Sequence, residues 1–252
     1  MGMESSLVNS TLETLKKYVV FFKTTLQEEN KYLLLGLSGD CLLSTLPCLL
    51  SINELPEQGE VHTIDDDCLL IKIPGQFHRY QLWLPSNKLR TWWPKLTQSL
   101  RPTTESFWKL MDIESVTPVL SEPLVDKYIP QHLNQPSLGG VSFKKGCYTG
   151  QEIITRMQNL GQQKSRCYHL SLQKLELNAS LIHHKLYDQN GKSIGEIIMT
   201  ATNPYQHRIE LLAVIRIVAA ESNQVYFDNQ ATQALSVHPI PYTIDEKAEL
   251  QH

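Results

Sequence analysis

The last third of the chain consists of short apolar runs divided by turn residues, and that pattern admits few folds. Arg166 to Leu172, Leu181 to Tyr187, Ser193 to Thr200, Glu210 to Val218 and Gln224 to Asp228 each read as a short strand. Between the second and third lies Asp188-Gln189-Asn190-Gly191. Its Asn-Gly step accepts the positive φ that a tight hairpin needs. Five short strands with regular turns predict a small β-barrel or sandwich. The pattern changes near Gln162, which places a domain boundary there and gives regions 1–161 and 162–252.

The first region alternates differently. Leu12, Leu15, Val19 and Phe22 recur at helical spacing. Lys31 to Leu37 reads as a buried strand, Cys41 to Leu50 as a short helix despite Pro47, and Cys68 to Ile73 and Arg79 to Leu84 as strands. Ser86 is placed to cap a helix running to about Trp92, before Pro94. A further helical segment holds Phe107, Trp108 and Met111. Strands and helices mixed in this way predict an α+β layer. The passage from Val116 to Gly140 carries Pro118, Pro123, Pro130 and Pro136 and reads as a long loop, of the kind that lines functional sites.

Composition excludes several classes. A bilayer span needs about 20 apolar residues, and runs such as Tyr32 to Leu37 or Leu211 to Ile215 are far shorter. The five cysteines (Cys41, Cys48, Cys68, Cys147, Cys167) are odd in number and none forms a C-x-x-C pair. That argues against a disulfide framework or a zinc ribbon, and for a reducing cytoplasm. No leader pattern points to export. No metal-binding or phosphate-loop spacing occurs, so no metal is expected. His183-His184 has no carboxylate or cysteine beside it in sequence.

The chemistry concentrates in Lys144-Lys145-Gly146-Cys147-Tyr148-Thr149-Gly150-Gln151-Glu152. Thr149 to Glu152 has the form of a capping box, with Ile153, Ile154 and Met157 at helical spacing behind it and Gly161 as a stop. Cys147 therefore stands just ahead of a helix start. The helix dipole, Lys144 and Lys145 would all favour its thiolate. Gly146 and Gly150 allow close backbone approach or a sharp turn. Gln151 and Glu152 offer polar contacts to a heteroaromatic ring. The competing reading of Cys147 is inert packing, which is also the reading of the other four cysteines. Trp108 offers a flat surface on which a ring could stack, or is simply core. The run Glu54, Glu57, Glu60, Asp65, Asp66, Asp67 is acidic. The stretch 140–175 is basic, with Lys144, Lys145, Arg156, Lys164, Arg166 and Lys174 against one Glu152. It would attract a polyanion, or is a solvated surface.

These residues resemble those of a known family. Lys145-Gly146-Cys147-Tyr148-Thr149-Gly150-Gln151-Glu152 is similar to the K-G-C-Y-x-G-Q-E signature of the YgfZ proteins, relatives of the aminomethyltransferase called T-protein. Leu12 to Tyr18 with Phe22-Lys23, Tyr128-Ile129-Pro130-Gln131, and Pro239-Ile240-Pro241-Tyr242 resemble further family segments in the same order. The resemblance implies a T-protein-like α+β folate-binding fold with a small C-terminal β-barrel. It implies tetrahydrofolate or a derivative as cofactor, bound between domains. It implies an accessory role in maintaining iron–sulfur enzymes, among them a tRNA methylthiotransferase. The signature cysteine carries over to Cys147. A folate-stacking tryptophan carries over to Trp108, in the segment Trp108 to Pro118.

Two departures are visible. The family's Ala-Gly in that segment is Ser115-Val116 here, so a changed local turn is expected. The family's N-terminal portion, with a G-x-D-x-x-x-F-L-Q-G-Q motif and a second folate-side tryptophan, has no counterpart in this sequence. The alternative function is a tetrahydrofolate-dependent aminomethyltransferase, which needs a positioned carboxylate beside the folate. No acid–base pair stands out, so an accessory protein is expected rather than an enzyme. Direct RNA binding is not expected from a net charge of −3 and few interleaved aromatics.

Overall fold

A computed structural model describes residues 2–143, 145–159, 163–173 and 180–244. Cα packing divides the chain into two units, Met1–Thr103 with Val119–Val125, and Thr104–Pro118 with Asp126–His252. This division falls elsewhere than the boundary placed near Gln162, a residue outside those described. Among the described residues no helix is long and apolar enough to cross a membrane.

The first unit opens with α1 (Val8–Val19), which buries none of its residues. β1 (Tyr32–Ser38), α2 (Leu42–Leu50), β2 (Val61–Asp65), β3 (Cys68–Lys72), β4 (Arg79–Pro85) and α3 (Leu89–Ser99) follow. The strands form an antiparallel sheet in the order β1-β4-β3-β2. Period-2 alternation sends Leu70, Tyr80, Leu82 and Leu84 to one face, where they pack with Leu42, Leu46 and Leu50 of α2 and Trp92 and Leu96 of α3. Pro47 and Pro94 both sit inside their helices, so the helix expected to stop before Pro94 runs on. Cys68 is buried as expected. Cys41 and Cys48 are exposed, because α2 turns its Leu42-Leu46-Leu50 stripe inward and these two positions lie off it.

The second unit holds α4 (Glu105–Glu114), α5 (Gln151–Asn159), β5 (Ser165–Gln173), β6 (Lys185–Tyr187), β7 (Ser193–Asn203), β8 (Arg208–Arg216), α6 (Ile217–Glu221) and β9 (Ser236–Val237). The antiparallel order is β6-β7-β8-β5-β9. Single bridges carry the ladder from Ala234, beside β9, to Tyr226 and on to Tyr187 of β6. The two edges therefore meet and the expected small barrel closes. Its interior is Leu170, Leu172, Leu186, Ile197, Leu211 and Ala213, with neighbours from the other strands. The Asp188–Gly191 hairpin forms as expected: Asp188 Oδ1 accepts from the backbone of Asn190 (2.9 Å) and Lys192 (3.0 Å), and Gly191 has φ +73°. Gly195 lets β7 and β8 approach closely. A Cβ there would lie 2.0 Å from the carbonyl oxygen of Val214.

α4 belongs to this unit because it packs on β7 and β8. It ends in a Schellman turn: Thr117 N donates to Asp112 O (2.9 Å) and Val116 N to Ile113 O (3.0 Å). The left-handed position of that turn, usually glycine, is Val116 at φ +51°. The turn of a glycine is thus made by a valine. A β-branched residue there costs on the order of 1–3 kcal/mol, which its complete burial helps to offset.

Candidate functional site

The signature leads into α5 as the spacing predicts, but by different means. Among the described residues no side-chain hydrogen bond closes the capping box of Thr149 and Glu152. Gly150 instead turns the chain at φ +89°, and its carbonyl receives Ile154 N at 3.4 Å. Glu152 lies in the first turn and Arg156 in the last, both favourable to the helix dipole. Lys145 Nζ sits 4.3 Å from the Tyr148 ring centroid, a cation–π contact. Cys147 is exposed between them, as are Gly146 and Gly150. Gln151 is half-buried and Glu152 exposed. Lys144 and Gly161 lie outside the described residues.

The Tyr-Ile-Pro-Gln segment anchors this helix. Gln131 Nε2 donates to Ile154 O at 2.8 Å. Gln163 Nε2 in turn donates to Gln131 O at 2.6 Å. Asn134, left-handed at φ +56°, donates to Cys167 O (3.0 Å) and to the Tyr242 hydroxyl (3.0 Å). Three separated stretches of sequence thus converge on one hydrogen-bonded frame. Trp108 sits half-buried on α4, a different element of the same unit.

Sequence reading missed two polar clusters. In the first, β5 and β8 pair so that Ser171 faces Glu210. His169 Nε2 meets Glu210 Oε2 at 2.8 Å, and Arg208 Nε donates to Glu210 Oε1. His238 stacks on His169 (centroids 4.2 Å apart) and meets Ser171 Oγ at 2.9 Å. Burial pushes the Glu210 carboxyl up, but the bonds from His169 and Arg208 prevail and hold it below the usual carboxylate range. Burial, then His169, lower His238. Glu114, at the end of α4, is raised by burial and by Glu210, and accepts from Asn203 Nδ2 at 3.5 Å. His169, Glu210 and His238 offer donor atoms within 4.8 Å of one another. A metal there would displace three hydrogen bonds and sit between nearly parallel rings, so the cluster reads as a hydrogen-bonded network.

The second cluster corrects the reading of His183. Lys127 Nζ donates to His183 Nε2 at 3.0 Å, which leaves the ring proton on Nδ1, 3.5 Å from Glu196 Oε1. The Tyr128 hydroxyl donates to the same carboxylate oxygen. His183 has the carboxylate company its sequence neighbours lack, supplied across the sheet, and it adopts φ +69°. The detectable signal for both clusters was a polar residue interrupting an apolar strand at alternate positions: His169 and Ser171, Arg208 and Glu210, Glu196.

No protein-family model matches the chain. It is 26% identical over 242 residues to a tRNA-modifying protein YgfZ from Pectobacterium carotovorum, spanning 96% of this chain and 72% of the relative. It is 29% identical over 251 residues to a protein of the same name from an Enterobacter species, spanning 96% and 73%. Among solved structures, the aminomethyltransferase T of the glycine cleavage system from Bartonella henselae superposes with a TM-score of 0.68 at 13% identity, covering 95% of this chain and 67% of that one. That likeness carries the fold and not the activity.

Proposed function

We propose that this chain, similar over 96% of its length to tRNA-modifying proteins named YgfZ, is a cytoplasmic accessory protein of that family that binds a folate and sustains tRNA modification. In this reading it maintains an iron–sulfur enzyme such as a tRNA methylthiotransferase, with Cys147 as the working thiol. The observation that carries the reading is the exposure of Cys147 within the signature loop that leads into α5; Cys41 and Cys48 are exposed as well but lie outside the signature.

The residues of α4 suit a folate. Trp108 is half-buried and carries the flat indole on which a ring would stack. Glu114 brings a half-buried carboxyl, a natural acceptor for the amino edge of a pterin, with Asn203 beside it. Bound tetrahydrofolate would supply a carrier for a one-carbon unit. The chain's own residues would orient the ring and present the thiol.

The test is complementation of cells that lack their own family member. Cys147→Ala, produced at normal level and with an unchanged melting temperature, is expected to lose tRNA methylthiolation. Full restoration by that variant removes Cys147 from the proposal. Tetrahydrofolate titration tests the cofactor: Trp108→Ala is expected to weaken binding about tenfold, the scale of a lost stacking contact. Unchanged affinity would move the ring elsewhere.

A further inference from the structure

Among the described residues, the sheet of the first unit ends on β1 at one side and on β2 at the other. The two edges are defended differently. β2 holds His62 and Asp65 and is flanked by Glu60 and Asp66. Charges along an edge oppose the addition of another strand. β1 reads Tyr-Leu-Leu-Leu-Gly-Leu-Ser and carries no charged residue. Leu33 is 38% exposed and Leu34 53%. An apolar, uncharged edge of this kind is a template for further pairing.

The register of β1 on β4 decides which backbone groups face the open side. Lys31 O accepts from Ser86 N at 3.0 Å, and Gly39 N donates to His78 O at 3.3 Å. These two pairs bracket the ladder, and bonded pairs alternate with non-bonded ones in an antiparallel register. Leu33, Leu35 and Leu37 therefore bond to β4, opposite Leu84, Leu82 and Tyr80. Tyr32, Leu34 and Gly36 turn their N–H and C=O groups outward. Pro85, which has no N–H to give, stands opposite Tyr32, as this phase allows. Leu35 and Leu37 pack on the core, and Leu33 shares their face. Leu34 lies on the other face, opposite Trp83 in the ladder.

A second copy of β1 meets these groups in an antiparallel register. Outward-facing residues must meet outward-facing residues, so even positions pair with even. A two-fold axis through Leu35 pairs the whole strand with itself. Leu34 then meets Gly36 of the second copy, Tyr32 meets Ser38, Leu33 meets Leu37, and Leu35 meets its own counterpart. The leucine pairs extend the core face from one sheet into the next. No like charges oppose each other along the strand. At its ends Lys31 comes opposite Gly39 of the second copy, next to Asp40, so opposite charges adjoin. An unrelated extended peptide would share the backbone bonds but not this match of side chains and charge.

We propose that β1 pairs with β1 of a second copy, antiparallel about Leu35, in a symmetric dimer with one continuous sheet. The contact lies within the first unit and uses neither Cys147 nor Trp108, so its outcome is independent of the proposed function.

The experiment is sedimentation equilibrium of the full chain over a dilution series. The expected species is a dimer of twice 28.8 kDa that dissociates on dilution. Leu34→Lys charges the exposed edge and sets two lysines on diagonal positions across the axis. It is expected to raise the dimer Kd at least about tenfold with an unchanged circular dichroism spectrum. Val61→Lys, on the opposite edge and 54% exposed, is expected to leave the dimer intact. Leu35→Cys tests the register. The pair on the axis is a non-bonded one, with Cα atoms about 4.5 Å apart, within reach of a disulfide. Oxidation is expected to join two copies at position 35, located by mass mapping. A monomer at every concentration overturns the proposal. So does a dimer that Leu34→Lys leaves intact, or one with no link at position 35. Either result would place the contact on another surface, such as the exposed Phe21 and Phe22.

Discussion

The hydroxyl of Tyr242 donates to the carbonyl of Val116 at 2.8 Å while accepting from Asn134 Nδ2 at 3.0 Å. One phenol near the end of the described chain thus holds the strained turn after α4 and the left-handed turn at Asn134. Tyr242→Phe deletes both bonds and leaves Val116 O without this donor. The expected loss is about 1–3 kcal/mol, read as a lowered urea midpoint with an unchanged m-value.

Val116 is strained and fully buried, and the two effects oppose each other. Val116→Gly removes apolar contact but restores the residue type that a Schellman turn favours. It is expected to fall within about 1 kcal/mol of the wild type. Val225→Gly, equally buried at 0% exposure, is expected to cost at least about 2 kcal/mol. Equal losses at the two positions would show that the left-handed turn at Val116 carries no strain.

Alkali is expected to destabilise the second unit through three phenols, Tyr128, Tyr242 and Tyr168, the last raised by burial. Burial raises Tyr242 above its ordinary value of 10.0. Burial, then the bond to Glu196, raises Tyr128 above the same value. A raised folded value means stability that is complete below pH 10 and is lost as the pH climbs towards the folded values. Denaturation midpoints should therefore fall above pH 10, and Tyr128→Phe should flatten that limb.

In acid the signs reverse for a set of groups that includes His238 and Glu210. His238 is held below 6.5 and Glu210 below 4.5. Each contributes stability that is present above those values and is lost as the pH falls through the folded ones. Glu114, raised above 4.5, works the other way and softens the loss. Stability should decline first below pH 6.5 and again below pH 4.5. His238→Gln should shrink the first step, to which His132, also held below 6.5 by burial, contributes the rest. Glu210→Ala, which strands His169 and Arg208, is expected to cost about 3–5 kcal/mol at neutral pH.

Thiol reagents should divide the cysteines by burial. Cys41, Cys48 and Cys147 are exposed, whereas Cys68 and Cys167 are buried with their thiols pushed up by that burial. Native protein should label at the first three and at all five after denaturation. Mass mapping that finds Cys147 protected would remove the accessible thiol on which the proposed function rests.

The barrel was legible because its cues are local. Asp188 to Gly191 encodes its own hairpin, and each flanking strand declares itself by its apolar run. β2 went unread because Val61–Asp65 lies within an acidic stretch that looks solvated. The buried network around Glu210 was invisible for a different reason. His169 and Glu210 are polar residues in separate strands, and only the pairing register brings them together. The same holds for His183 and Glu196. Cys147 and Trp108 were legible as residues, but Gln131 and Asn134 were not, because the hydrogen-bonded frame they form is a property of packing and not of residue type. Val116 shows the converse: its side chain argues against a left-handed turn that tertiary hydrogen bonds impose.

Gln131 is a two-ended group. Its side-chain nitrogen holds the signature helix at Ile154, and its backbone carbonyl receives Gln163 just ahead of β5. The helix behind Cys147 and the entry to the barrel therefore hang on the same residue, and a change that frees one end loosens the other.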